Sequence, residues 1–202
     1  FAPSVGVFSS VLSALSVCVF SSVLSALSVG VFPSILSALS LGVSVYSPTA
    51  AIKALNLEGI DLIQLPSNIL DRRFEQADVF KIAKEKGKQI YIRSTFLQGL
   101  LLMSLESIPN NMNHVKPVLQ KLQQIRNETG LTSQEIALGY MKMEMPEARI
   151  ILGVEQIAQL QQNLESWGKT YTSSLIQQIK STFENVDETI LNPVLWPASH
   201  FD

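Results

Sequence analysis

Charge is missing from the start of this chain. From residue 1 to residue 52 there is no Lys, Arg, Asp, Glu or His, and all charge begins at Lys53. No basic region precedes the apolar stretch, which argues against a secretory leader, and no Lys or Arg flanks it as a membrane anchor would require. Cysteine is almost absent: Cys18 is alone, which excludes an intrachain disulfide framework and fits a reducing compartment, the cytoplasm. The two histidines, His114 and His200, stand apart from any Cys or carboxylate at metal-ligand spacing, so no metal is expected. His114 opens an amphipathic segment and His200 sits in the tail, both positions of ordinary surface residues. No basic cluster interleaves with aromatics and the formal net charge is -2, which excludes nucleic acid as a partner. Neither Gly-x-Gly-x-x-Gly nor Gly-x-x-x-x-Gly-Lys occurs, leaving no phosphate-binding motif of the doubly wound or P-loop kind. The sequence opens on Phe1 rather than Met and reads as a fragment.

What fills the uncharged stretch is a repeat. Residues 4–15, 16–27 and 28–39 are copies of one unit, Ser-Val-Gly-Val-Phe-Ser-Ser-Val-Leu-Ser-Ala-Leu, and a fourth copy starts at Ser40 and dissolves before Pro48. Gly6, Cys18, Gly30 and Gly42 share one register. The unit is short for a solenoid and its copies too nearly identical to pack in separate roles. Three readings stand: a low-complexity expansion without function of its own, a membrane helix giving residues 1–46 membrane contact, and short hydrophobic helices packed on a barrel. On any of them, residues 1–40 form one segment and 41–202 a separate folded region.

From residue 41 a βα alternation sets in. Residues 41–46 read as a strand ending near Ser44, and Pro48 opens a short helix through Ala51, Ala54 and Leu55. Residues 60–65 are the next strand, ending on Gln64, and a helix over 74–88 follows with Val79, Ile82 and Ala83 on one face. Ile90, Tyr91 and Ile92 make a third strand that runs into the turn Arg93-Ser94-Thr95. A helix over 113–128 then places Val115, Leu119, Leu122 and Ile125 at helical spacing, and Gly130 ends it. Thr132-Ser-Gln-Glu135 is a capping box that starts a helix running to Pro146. Residues 149–153 read as a fourth strand. The helix after it carries Ile157, Leu160, Leu164 and Trp167 on one stripe, and a last amphipathic helix covers 173–186.

Four strands, each followed by helix and each ending on a polar residue or glycine, predict an α/β fold: a partial (β/α)₈ TIM barrel of about four βα units behind the repeat segment. In that architecture the site is built from the strand C-termini and the loops after them. Here these are Ser44, Gln64, Arg93 with Ser94, and Gly153. An open doubly wound sheet would place ligands at the same ends.

These residues carry a resemblance. Gly42-Val-Ser44, Ile63-Gln-Leu-Pro-Ser-Asn68 with Leu70-Asp-Arg72, Arg93-Ser94 with Leu97-Gln-Gly-Leu-Leu101, and Gly153 with Gln159-Leu-Gln-Gln-Asn-Leu164 resemble the second half of an aldo-keto reductase, strands five to eight of the barrel. The resemblance implies an NAD(P)H-dependent oxidoreductase acting on a small-molecule carbonyl substrate. It implies that Ser44 and Gln64 hold the nicotinamide carboxamide, that Arg93 stacks on the nicotinamide, that Ser94, Leu97 and Gln98 pass the pyrophosphate, and that Gly153, Gln159, Gln162 and Asn163 meet the adenosine end. Gln159 falls where an arginine often meets the 2′-phosphate, which leaves NAD and NADP both open. Without the resemblance, Ser44 and Gln64 serve equally well as hydrogen-bond partners of barrel backbone.

The catalytic residues of these reductases belong to the first half of the barrel, whose place the repeats take. Tyr46, Tyr91, Tyr140 and Tyr171 do not match the catalytic tyrosine, so no catalytic residue is assigned and the chain alone is expected not to reduce aldehydes. The alternative is a non-catalytic half barrel, an interaction or membrane-attached remnant that binds nucleotide weakly or not at all. Four strands leave lateral edges open, which predicts self-association. Asp71, Arg72 and Arg73 read as a solvated, salt-bridged loop.

Overall fold

A computed structural model describes residues 16–20 and 40–197. Apart from Ser16–Phe20, the repeats lie outside the described residues, and with them most of what separates the three readings. Strand β1, Ser16–Phe20, pairs antiparallel with β2, Ser40–Ser44, so these five residues are not helical. Among the described residues no helix is long and apolar enough to cross a membrane.

The rest is the α/β alternation expected. After β2 come α1 (Pro48–Leu55), β3 (Leu62–Pro66), α2 (Arg73–Gln76), α3 (Val79–Glu85), β4 (Gln89–Arg93), α4 (Lys116–Thr129), α5 (Ser133–Glu144), β5 (Arg149–Ile150), α6 (Ile157–Gly168), α7 (Ser173–Thr182) and α8 (Glu188–Leu191). The sheet order follows the chain, β1-β2-β3-β4-β5, and β2 to β5 form a parallel four-stranded sheet. Consecutive parallel strands joined through helices are what right-handed βα crossovers produce.

The chain divides into two compact units. The first holds the described residues up to Pro66 with Arg73–Ile92 and Glu147–Arg149. Its core is Val43, Ile63, Leu65, Phe74, Val79 and Ile92, all buried. Ser47 caps α1 by accepting from Ala50 N–H at 3.2 Å, and Pro48 takes the first turn, where a missing N–H costs nothing. A Cβ at Gly42 would lie 2.3 Å from Leu62 Cδ1, so a larger residue there requires the Leu62 side chain to move.

The second unit holds Ser67–Arg72, Arg93–Pro146 and the residues from Ile150 onward. Leu119, Leu122 and Ile125 of α4, Ile136, Leu138 and Tyr140 of α5, and Ile176 and Ile179 of α7 are buried in it. The capping box forms as its spacing requires. Thr132 Oγ1 accepts from Glu135 N–H at 3.2 Å, and Glu135 Oε2 accepts from Thr132 N–H at 2.7 Å.

Two expectations need correction, and one stripe takes a direction that its periodicity did not fix. The helix over 74–88 is two helices, because Asp78 takes a left-handed φ of 56° and breaks the ladder between them; Asp tolerates that region better than most residues. The strand over 149–153 is only Arg149–Ile150. β5 ends the sheet order and has one neighbour to pair with, so the ladder stops early and Gly153 lies in the following coil. The stripe of α6 points outward: Ile157, Leu160 and Leu164 are 78%, 45% and 62% exposed, while Asn163 and Ser166 are buried. The polar side of α6 faces α5, where Asn163 accepts from Gln134, and the loop after α6, where Ser166 C=O accepts from Tyr171.

Candidate functional site

In the first unit, Ser44 and Gln64 end up as register partners across β2 and β3. Ser44 is buried and Gln64 half-buried, and the pair continues through Val45 N–H donating to Gln64 C=O at 2.8 Å. Ser44 ends β2, and Gln64 lies in the middle of β3, two residues before its end; strand C-terminal ends are the positions from which an α/β sheet presents ligand-binding groups.

In the second unit the loop after β4 is unusual. Ser94, Leu97 and Gln98 have φ of 61°, 47° and 52°, followed by Gly99 at 86°. Three non-glycine residues in the left-handed region within one loop store strain of order 1–3 kcal/mol each, so the surroundings must hold them. Asn68, fully buried, does much of this. Its Nδ2 donates to Ser94 C=O at 3.2 Å while its Oδ1 accepts from Leu70 and Asp71 N–H, both at 2.9 Å. Ser67 N–H donates to Arg93 C=O at 3.1 Å, and Leu97 is buried to 1% exposure. Arg93, half-buried, donates from Nη1 to Ser94 Oγ at 3.4 Å. The Asp71 region is therefore not a solvated loop. Asp71 is 1% exposed and Arg72 donates from Nη1 to Lys180 C=O at 3.0 Å, because the segment is needed as the brace of the β4 loop.

That loop forms one wall of a cavity of about 730 Å³, within this unit alone. The volume is in the range of roughly 300–1,000 Å³ common to small-molecule sites. Ser94, Gln98, Gly153, Gln159, Gln162 and Asn163, six of the ten residues singled out from sequence, line it. Leu97 does not; it is the buried anchor of the same loop. The other lining residues were not singled out, among them the polar Thr95, Gln134 and Glu155 and the aromatic Phe96. Thr95 Oγ1 is buried without a hydrogen-bond partner, an arrangement that costs about 1–3 kcal/mol in a free protein. Among the described residues, the N–H groups of Thr95, Phe96 and Gln98 also have no backbone hydrogen-bond acceptor. Successive N–H groups in a left-handed turn form a concavity that suits anionic oxygens. Gln159, on the opposite wall, accepts through Oε1 from Glu155 and Gln156 N–H at 2.8 and 3.3 Å.

The wall behind Gln134 is held by charge. Lys169 pairs with Glu135, and its ammonium, with help from Thr132 N–H, holds the Glu135 carboxyl below the usual carboxylate range. Tyr171, packed against α5, is pushed up to about 12 by burial and then by the charge of Glu135. Among the described residues no group of His, Cys, Asp and Glu is placed to hold a metal, and no phenol or imidazole lines the cavity. Tyr140 is buried inside α5, Tyr171 donates to Ser166 C=O at 2.6 Å, and Tyr91 accepts from Arg149 at 2.8 Å in the first unit. The cavity can therefore bind polar and anionic groups, but neither a phenol nor an imidazole stands in its wall to protonate a carbonyl oxygen.

Comparison with known structures finds an aldo-keto reductase from Bacillus halodurans, in apo and holo forms. Each is 24% identical with a TM-score of 0.55, and the match covers 69% of this chain and 49% or 48% of the other. The chain thus spans about half the length of the solved structures it matches, and the likeness is to part of a TIM barrel. No curated protein matches. The model of the aldo/keto reductase family matches residues 37–184, most of the chain and all four strands β2 to β5, and by that match the chain belongs to the aldo/keto reductase family.

Proposed function

We propose that this chain supplies the nucleotide-holding part of an NAD(P)H-dependent carbonyl reductase of the cytoplasm. The observation that carries this is the wall of the second unit's cavity: the buried, unpartnered Thr95 hydroxyl beside the N–H groups of Thr95, Phe96 and Gln98, which have no backbone acceptor. These donors fit the diphosphate of a dinucleotide. A nicotinamide cofactor, when bound, supplies a hydride to a carbonyl carbon. This chain's part in the second unit is to bind and orient: the β4 loop takes the phosphates, and Gln159, Gln162 and Asn163 take polar edges of the nucleoside. The proton for the carbonyl oxygen comes from a group outside the described residues, so these residues alone turn nothing over. A titration of NADH and NADPH followed by cofactor fluorescence tests the reading. Saturable binding is expected, and Thr95→Val is expected to weaken it by about 1 kcal/mol without lowering the unfolding midpoint. A flat wild-type curve sinks the proposal.

One observation favours a second reading, a half barrel that associates with a second copy. The exposed Ile157, Leu160 and Leu164 form an apolar stripe that nothing covers among the described residues, and surfaces of this kind mark contacts. Sedimentation velocity of the wild type against Leu164→Glu decides: association lost in the variant supports pairing through α6, and a monomeric wild type removes it.

A further inference from the structure

The repeat segment carries a surface of its own, apart from the cavity. We propose that the outer edge of β1 pairs with β1 of a second copy of this chain, antiparallel and two-fold about Cys18, so that the sheet runs from one chain into the next.

A pairing of this kind is already present within the chain. β1 opens the second copy of the repeat unit and β2 opens the fourth. They lie antiparallel, with Ser16 opposite Ser44, Cys18 opposite Gly42 and Phe20 opposite Ser40. The first residue of one copy therefore faces the fifth of the other, and the third faces the third. A strand that meets a near copy of itself in this centred register can meet an identical one in the same way, and the identical pair is then two-fold symmetric. Backbone direction decides which groups are left to do so. Leu41 C=O accepts from Asp61 N–H and Val45 N–H donates to Gln64 C=O, both at 2.8 Å. The odd positions of β2 thus spend their backbone groups on β3, and the even ones, Gly42 among them, turn toward β1. Gly42 and Cys18 form a hydrogen-bonded pair, which sends the N–H and C=O groups of Val17 and Val19 to the opposite edge. Among the described residues that edge has no neighbour, since β1 ends the sheet order. The usual guards of an edge are a charge, a proline or a bulge. Ser16–Phe20 has neither charge nor proline, and its register with β2 runs without a bulge. No charged residue precedes Lys53 to repel a second copy. In the two-fold pair Val17 and Val19 exchange both backbone hydrogen bonds with Val19 and Val17 of the second copy. Cys18 then faces its own equivalent in a non-hydrogen-bonded position, where Cα atoms stand about 4.5 Å apart, inside the span of roughly 4.4–6.8 Å that a disulfide bridges.

Cys18 is the only cysteine of the chain, so a disulfide between two chains reports the register. The full chain is treated with diamide, which takes up both thiol hydrogens as the S–S bond forms, and run on a non-reducing gel; sedimentation velocity is followed without oxidant. The expected result is a dimer that diamide cross-links, with Cys18→Ser removing the cross-link but not the sedimenting dimer. On the Cys18→Ser background, Val17→Cys and Val19→Cys should each fail to cross-link alone, because equivalent residues there stand about 8 Å apart. An equal mixture of the two should cross-link, because residue 17 then faces residue 19 at about 5.5 Å. Val17→Pro deletes an outward N–H and leaves the bonds between β1 and β2 in place, and should weaken the dimer about tenfold or more. The cross-link should survive Leu164→Glu. A chain that stays monomeric, as it would if another copy of the unit in the same chain took the edge, overturns the proposal. So does Val17→Cys cross-linking alone as well as Cys18, a dimer indifferent to Val17→Pro, or a cross-link lost with Leu164→Glu, which would assign the contact to α6.

Discussion

Replacing Gly139 by alanine puts the packing of α5 to a direct test. A Cβ at Gly139 would stand 2.6, 2.7 and 2.8 Å from Cγ, Cδ1 and Cδ2 of Tyr171, distances that real Cβ atoms do not tolerate. The ring cannot easily withdraw, since it is 6% exposed and its hydroxyl is tied to Ser166 C=O at 2.6 Å. Overpacking of this kind costs about 1–3 kcal/mol, and alanine returns up to about 1 kcal/mol of helix propensity. The net expectation is a loss of about 1–2 kcal/mol, weighted toward the clash because the contact is with a ring rather than a flexible chain end. Urea unfolding followed by circular dichroism should show a lower midpoint at unchanged slope. The double variant Gly139→Ala/Tyr171→Leu should recover part of the loss relative to Tyr171→Leu alone, since the two positions are in contact. A single variant as stable as the wild type, or more so, would show that the ring relaxes freely and that the argument from the close approach is wrong.

Asn68→Ala removes three hydrogen bonds at a fully buried position and should cost about 2–3 kcal/mol in the same unfolding experiment, with nucleotide binding weakened as the β4 loop loses its brace. Because Tyr171 is raised to about 12 by burial and by Glu135, the unfolded chain releases that proton first. Stability from this group is complete below pH 10, the ordinary tyrosine value, and is lost as pH rises toward 12. Alkaline unfolding monitored by tyrosinate absorbance should show this slope, and Tyr171→Phe should remove it. Glu135 runs the other way, lowered by Lys169 and by Thr132 N–H. Its contribution is present above the ordinary glutamate value and is lost as pH falls through the lowered one, so Glu135→Gln should flatten the acid limb of stability against pH.

The sequence made local features legible and left tertiary ones hidden. The Thr132/Glu135 capping box, the Pro48 start of α1 and the strands ending on Ser44 and Arg93 all formed, because each depends on residues a few positions apart, while the strand expected to end on Gln64 runs on to Pro66. The β4 loop was harder. Nothing local forces Ser94, Leu97 and Gln98 into the left-handed region; the burial of Leu97 and a hydrogen bond from Asn68, 26 residues away, impose it. Thr95 was visible only as a turn residue, since an orphaned hydroxyl is a property of the packed wall. On α6 the periodicity correctly grouped Ile157, Leu160 and Leu164 on one side of the helix. It could not say toward what that side points, which the hydrogen bonds of Asn163 and Ser166 to the neighbouring chain segments decide.

The outward face of α6 also sets how the cavity breathes. Eight residues of α5 are buried, so opening that helix exposes apolar surface and its amides should exchange with solvent only near global unfolding. In α6 only Asn163 and Ser166 are buried, and unwinding it uncovers almost no new oil. Its amides should therefore exchange through a shallow, local opening. The cavity then has one stiff wall and one compliant wall, with Gln159, Gln162 and Asn163 on the compliant side. A ligand that bridges the two would make itself known first as slowed deuterium uptake in α6, well before any change in the global melting curve.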